Sequence, residues 1–103
     1  MSLNLGLKSS DVPILQPVSL TIAAGVTRTI SFPNEFFGHA IAVRLSNLDA
    51  AAPATYQING ESSATLTLVG GGNRSINDTV IDLLTVVSAI GGVLQIEAQV
   101  LLI

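Results

Sequence analysis

The chain has no cysteine and no tryptophan, one histidine, four basic residues and four aromatic residues among its 103. Without cysteine there is no disulfide and no thiolate metal site. Lys8, Arg28, Arg44 and Arg74 are the basic residues, and a net charge of −3 runs against a phosphate-binding surface, which needs clustered Lys and Arg. Nucleic acid is therefore not expected as a direct ligand. A membrane span is not expected either, since it needs about 20 apolar residues in succession. The best candidate run, between Asp82 and Glu97, is too short and is broken by Gly91 and Gly92. The first ten residues, MSLNLGLKSS, do not read as a signal peptide, because no basic stretch precedes an apolar one.

What is present is aliphatic. Hydrophobic residues make up 49% of the chain and charged residues 11%, against a usual charged share of about 25%. A single domain of this length buries roughly two-thirds of the surface its unfolded chain exposes. Apolar area left outside the core is expected to meet another subunit.

The dominant pattern has a period of two, which is the pattern of strands. Val18, Leu20 and Ile22 alternate with Ser19, Thr21 and Ala23. After Ala24 and Gly25 the alternation resumes through Val26, Ile30 and Phe32, with Arg28 on the apolar parity and so expected to be paired or near a sheet edge. SFPNEFFGH reads as a loop, by Pro33, Asn34 and Gly38. In AIAVRLSNL, Ile41, Val43 and Leu45 share a face. TYQING is a short strand ending in the turn residues Asn59 and Gly60, and SATLTLV and NRSI flank a triple-glycine turn. Residues 78–90 admit two readings. Val80, Leu83, Leu84 and Val87 would lie on one helical face, but the β-branched Thr79, Val80, Ile81, Thr85, Val86 and Val87 favour a strand, which is the reading taken. The last strand is the clearest, with Leu94, Ile96, Ala98, Val100 and Leu102 inward.

About eight short strands separated by turn signals predict an all-β fold, an antiparallel β-sandwich or small jelly roll. Residues 12–103 form that domain, and residues 1–11 an extended N-terminal arm. LTIAAGVTRTI, from Leu20, and LTLVGGGNRSI, from Leu66, share an eleven-residue pattern 46 positions apart. The reading is a repeated strand–turn–strand hairpin, with Gly25 and Gly71 supplying the turn's backbone freedom, in two similar halves packed face to face. Duplication and convergence on a common core-forming hairpin both account for it.

Chemistry is sparse. His39 has Glu35 as its nearest sequence partner for acid–base work, Asp78 and Asp82 make at most a weak carboxylate pair, and the Gly70–Gly72 loop lacks the Lys of a phosphate loop. Two glycosylation sequons, at Asn73 and Asn77, read as turn residues. No catalytic residue, metal ligand or cofactor is expected, and the chain is read as not an enzyme. One alternative is a sugar-binding or adhesin module whose rim would be Phe36, Phe37, His39 and Tyr56. The proposed subunit contact is instead at the two ends of the chain. Leu3, Leu5 and Leu7 carry a period of two through the arm, and Leu101 and Ile103 break the polar outward parity of the last strand.

Taken together, LTIAAGVTRTISF, NLDAAAPATYQING, LTLVGGGNRSI and VLQIEAQVL resemble the small β-sandwich structural proteins of double-stranded DNA bacteriophage virions, among them head decoration, capsid-stabilising and minor virion proteins. The resemblance runs over most of residues 18–102. It implies a self-associating or shell-attaching subunit, partnered by its own copies or by other capsid proteins, assembled in a host cytoplasm and resident in the virion.

Overall fold

Alternating side chains divide each strand into a wet and a dry face, and two sheets placed dry face to dry face complete a core. In the computed structural model, which describes residues 14–60 and 65–102, eight strands do this. They are β1 (Leu15–Ile22), β2 (Thr27–Ser31), β3 (Gly38–Asn47), β4 (Ala54–Ile58), β5 (Leu66–Leu68), β6 (Asn73–Ile76), β7 (Leu83–Val87) and β8 (Leu94–Leu102), with one short helix, α1 (Phe32–Phe36), between β2 and β3. The first sheet runs β1-β8-β3-β6 and the second β2-β7-β4-β5. All pairings are antiparallel. This is a jelly roll. The core between the sheets is filled by Ile30, Phe32, Leu45, Ile81, Leu84, Ile96 and Val100, none of them measurably exposed.

The two sheet orders have a hidden relation. Replacing each strand by the one four places away in the chain turns the first order into the second read backwards. The eleven-residue repeat is the sequence trace of that pseudo-two-fold. In each copy the turn is closed by the same bond, Val26 N–H to Ala23 C=O at 3.1 Å and Gly72 N–H to Val69 C=O at 2.9 Å. Gly25 and Gly71 hold matching φ angles of 74° and 71°, in the left-handed region that glycine adopts without strain.

The hairpin reading is corrected. β1 pairs with β8 and β2 with β7, while β5 pairs with β4 and β6 with β3. Each repeated turn is an arch that carries the chain from one sheet to the other, so its two strands face the core from opposite sides. The halves are accordingly interleaved and not packed face to face. Each supplies two strands to each sheet, and all six strand pairings join a strand of β1–β4 to a strand of β5–β8.

One local reading holds in part and two change. Residues 83–87 form the strand expected of their β-branched run. Ile41 leaves the core face because β3 carries a bulge between Ala40 and Ala42, which shifts its inward set to Ala40, Val43 and Leu45. The loop expected at SFPNEFFGH contains α1. Pro33 lies in its first turn, the Glu35 carboxylate accepts the Ser31 N–H at 3.0 Å, and Phe37 at φ 60° closes the end by donating its N–H to the Phe32 carbonyl. The arm, residues 1–11, and Ile103 lie outside the described residues.

Candidate functional site

Strand direction sorts the connections onto two ends. β1 begins at one, here called the base, and finishes at the other, the tip. At the base, α1 and the start of β3 meet the end of β8, where Leu101 lies between Leu15 and His39. Arg28, on the edge strand β2, pairs with Glu35 of α1. Its place on the apolar parity is thereby explained, and Glu35 is not the partner of His39. His39 Nδ1 meets the Asp82 carboxylate instead. Asp82 is set in place by Asn59, whose Oδ1 accepts the Asp82 N–H at 2.8 Å and whose Nδ2 donates to the Val80 carbonyl at 2.9 Å. Asn59 does this at φ 57°, a conformation that asparagine tolerates better than most residues. Asp78 is not drawn to Asp82; Thr79 Oγ1 lies 3.5 Å from it. Among the described residues no group of His, Asp and Glu is arranged to hold a metal ion, and no helix is long and apolar enough to cross a membrane.

The four aromatic and histidine residues of the expected rim are not all at one place. Phe37 is 71% exposed, Phe36 is half-buried against the core with its ring 5.9 Å from that of Phe32, and His39 is half-buried beside them. Tyr56 is 4% exposed and faces the core from β4, so it offers no surface to a ligand. Phe37 is unusual on its own account. A left-handed φ costs an ordinary side chain about 1 kcal/mol or more, yet this one projects a whole phenyl ring into water.

The tip is made by residues 23–26, 48–53, 69–72 and 88–93, and backbone bonds weld these turns together. Gly25 N–H donates to Ala89 C=O, Ser88 N–H to Val26 C=O, Leu48 N–H to Val93 C=O and Gly71 N–H to Asp49 C=O, all at 2.7–3.0 Å. Beneath them sits Asn47, 1% exposed. Its Nδ2 donates to the carbonyls of Ala52, Leu68 and Val69 at 2.9–3.2 Å, and its Oδ1 accepts the Asp49 N–H at 3.1 Å. The Asp49 carboxylate turns back on the backbone. Its Oδ1 accepts from Ala51 and Ala52, and its Oδ2 from Gly91. The Ala51 N–H first, then those of Ala52 and Gly91, hold its carboxyl below the ordinary aspartate range.

A depressed folded pKa stabilises the fold above the unfolded value, and that contribution is lost as pH falls through it. Asp49→Asn is therefore expected to be less stable than the parent at pH 6, with the gap closing below about pH 4. Urea melts of both chains at pH 6 and pH 2.5 check this; a gap that stays constant would remove the carboxylate from the account.

Sequence reasoning passed over Asn47, Asp49 and the apolar tip. The signal for the tip was available, since its four turns carry one charged residue, Asp49, and one hydroxyl, Ser88.

No protein-family profile matches the chain, and no curated protein sequence does. Its fold is similar to that of a solved structure described as Bacillus endospore appendages forming a family of disulfide-linked pili. That likeness has a TM-score of 0.54 and 17% identity, and it spans 98% of this chain and 100% of the other. Two further similar folds are of one enzyme, HppE with bound iron and substrate and hydroxypropylphosphonic acid epoxidase from S. wedmorenis with fosfomycin. Each is 17% identical and covers 84% of this chain but 45% and 43% of its own, with TM-scores of 0.47 and 0.46. The expectation that the chain is not an enzyme is corrected at this point, because the jelly roll hosts enzymes as well as structural proteins and so does not exclude an activity. TM-scores this low assign no activity to this chain.

Proposed function

We propose that this chain is a structural subunit that associates with copies of itself. The observation that carries the reading is the large apolar surface left in water around a closed core. Ile14, Phe37, Leu48, Val69, Val80 and Ile90 are each more than half exposed, on a chain with few charged residues. Exposed apolar patches on soluble proteins mark contacts. Support comes from the end-to-end fold likeness to a pilus subunit and from the use of jelly rolls in viral capsids. A virion decoration or capsid-stabilising subunit and a subunit of an extracellular appendage are the two assemblies covered, the first from the sequence resemblance and the second from the fold likeness.

The N-terminal arm, residues 1–11, enters this reading as a contact with a neighbouring subunit. Leu3, Leu5 and Leu7 would meet it beside Leu101 and Ile103. Thirteen residues precede Ile14, enough to reach roughly 40 Å if extended, and Ile14 itself is tied to the base through the Leu102 N–H at 2.9 Å. Light scattering of the intact chain is expected to give a mass of several subunits at micromolar concentration. Deleting residues 1–9, or combining Leu101→Ser with Ile103→Ser, is expected to release smaller species with an unchanged β-rich far-UV spectrum. A parent mass of one chain at all concentrations would overturn the proposal.

A further inference from the structure

Two adjoining residues at the end of β4, Asn59 and Gly60, both hold a positive φ, 57° and 87°. Asparagine and glycine enter that region at the least cost, so the turn selects this dipeptide for its backbone. Space is not the reason, because a Cβ on Gly60 would meet only Leu83 Cδ2, at 3.8 Å. The same dipeptide is chemically labile. Of the six asparagines in the chain, Asn59 alone is followed by glycine. After each of the others, the side chain of the next residue hinders its backbone nitrogen from reaching the asparagine Cγ.

In the fold this amide is held at both ends. Oδ1 accepts the N–H groups of Asp82 and Leu83 at 2.8 and 3.3 Å, and Nδ2 donates to the Val80 carbonyl at 2.9 Å. The Asn59 N–H donates to the Leu83 carbonyl at 2.7 Å. The segment that receives these bonds is itself fixed. Its Ile81 is fully buried and exchanges backbone bonds with Ala40 of β3 at 2.7 and 3.0 Å. Turning the amide onto the Gly60 nitrogen and expelling Nδ2 breaks the side-chain bonds, so the corner has to open first.

We propose that Asn59 is a self-modification site guarded by the fold, which deamidates when this corner opens and then does not let it close as before. The Gly60 backbone nitrogen loses its proton and bonds to the Asn59 Cγ, the Cγ–Nδ2 bond breaks, and ammonia leaves, closing a succinimide. Water then opens the ring at Cγ to give aspartate, or at the main-chain carbonyl to give isoaspartate. The aspartate has no N–H for the Val80 carbonyl and adds a negative charge beside the segment that carries Asp82. The isoaspartate routes the main chain through Cγ and lengthens it, so the bonds to Asp82 and Leu83 are lost as well. A chain that has spent time open is thereby marked and weakened, whether or not copies associate.

The test incubates the full-length parent at pH 8, in native buffer and in guanidinium above its unfolding midpoint. Trypsin releases residues 45–74, between Arg44 and Arg74, so Asn47, Asn59 and Asn73 are read on one peptide by mass spectrometry with fragment ions. In the unfolded chain Asn59 is expected to convert well before the other two. In the native chain its conversion is expected to be roughly tenfold slower or more, because only locally opened molecules react. Equal rates would show that the fold is no guard, and a faster native rate would make the corner a catalyst of the step. Either overturns the proposal, as does an Asn59 that converts no sooner than Asn73 when unfolded. The product is tested through Asn59→Asp and through the parent modified while unfolded and then refolded. Both are expected to have a lower denaturant midpoint than the parent, or not to refold. Midpoints within error of the parent for both would overturn the one-way closing of the corner. The rate comparison uses the parent alone and stands even if Asn59→Asp does not fold.

Discussion

Asn47→Ala is expected to cost about 3 kcal/mol, seen as a fall in melting temperature on the order of 15 °C. The side chain is 1% exposed and ties the β3–β4 connection to the end of β5 and the β5–β6 turn. Removing it leaves the Ala52, Leu68 and Val69 carbonyls and the Asp49 N–H without this partner. Asn47→Asp is the sharper variant, because it would aim a carboxylate at carbonyl oxygens that now receive an N–H, and its deficit should shrink as the pH falls and the carboxyl gains a proton. Thermal melts of both variants beside the parent test this. An unchanged melting temperature for Asn47→Ala would mean that the tip turns hold their shape without it.

Gly38→Ala is expected to be at least as damaging, at about 3 kcal/mol or more. The reason is space and not backbone freedom. A Cβ at Gly38 would lie 2.2 Å from the Leu101 carbonyl oxygen and 2.8 Å from its carbon. Backbone cannot move aside as a flexible side chain can, and here it belongs to the central strand β8, which pairs on both edges. The β3–β8 register at the base would have to open, carrying His39 and Leu101 with it. A denaturant midpoint within error of the parent would show that the two strands separate there at little cost. If assembly uses the base, the variant should also assemble more weakly than its stability alone predicts.

How far the sequence discloses this molecule depends on what alternation encodes. A period of two says which face of a strand a residue takes, so the inward set of β8 and the strand at residues 83–87 were legible. It says nothing about neighbours. The pairing of Leu20 with Ile96 is written nowhere near either residue, and the repeated arch was accordingly read as a hairpin. Ile41 was misplaced because a bulge adds one residue to a strand without any compositional mark. The histidine was given Glu35 by proximity in sequence, whereas its partner Asp82 lies 43 residues along the chain. Tyr56 was placed on the rim of a sugar-binding module, but the parity of β4 turns it inward. Gly25 and Gly71 were identified correctly because only the left-handed backbone needs glycine there.

The interleaving of the halves has a kinetic consequence. A chain cut between β4 and β5 would give two fragments in which no strand has a native partner, since all six pairings cross the cut. Neither fragment could build a sheet alone, and their recovery of the fold would be second order in concentration. In the intact chain the β4–β5 connection turns that encounter into an intramolecular one, at an effective concentration on the order of millimolar. Native contacts this distant in sequence place folding in the millisecond-to-second regime. Lengthening that one connection should slow folding while leaving the unfolding rate nearly unchanged, as for two half-chains held on a tether.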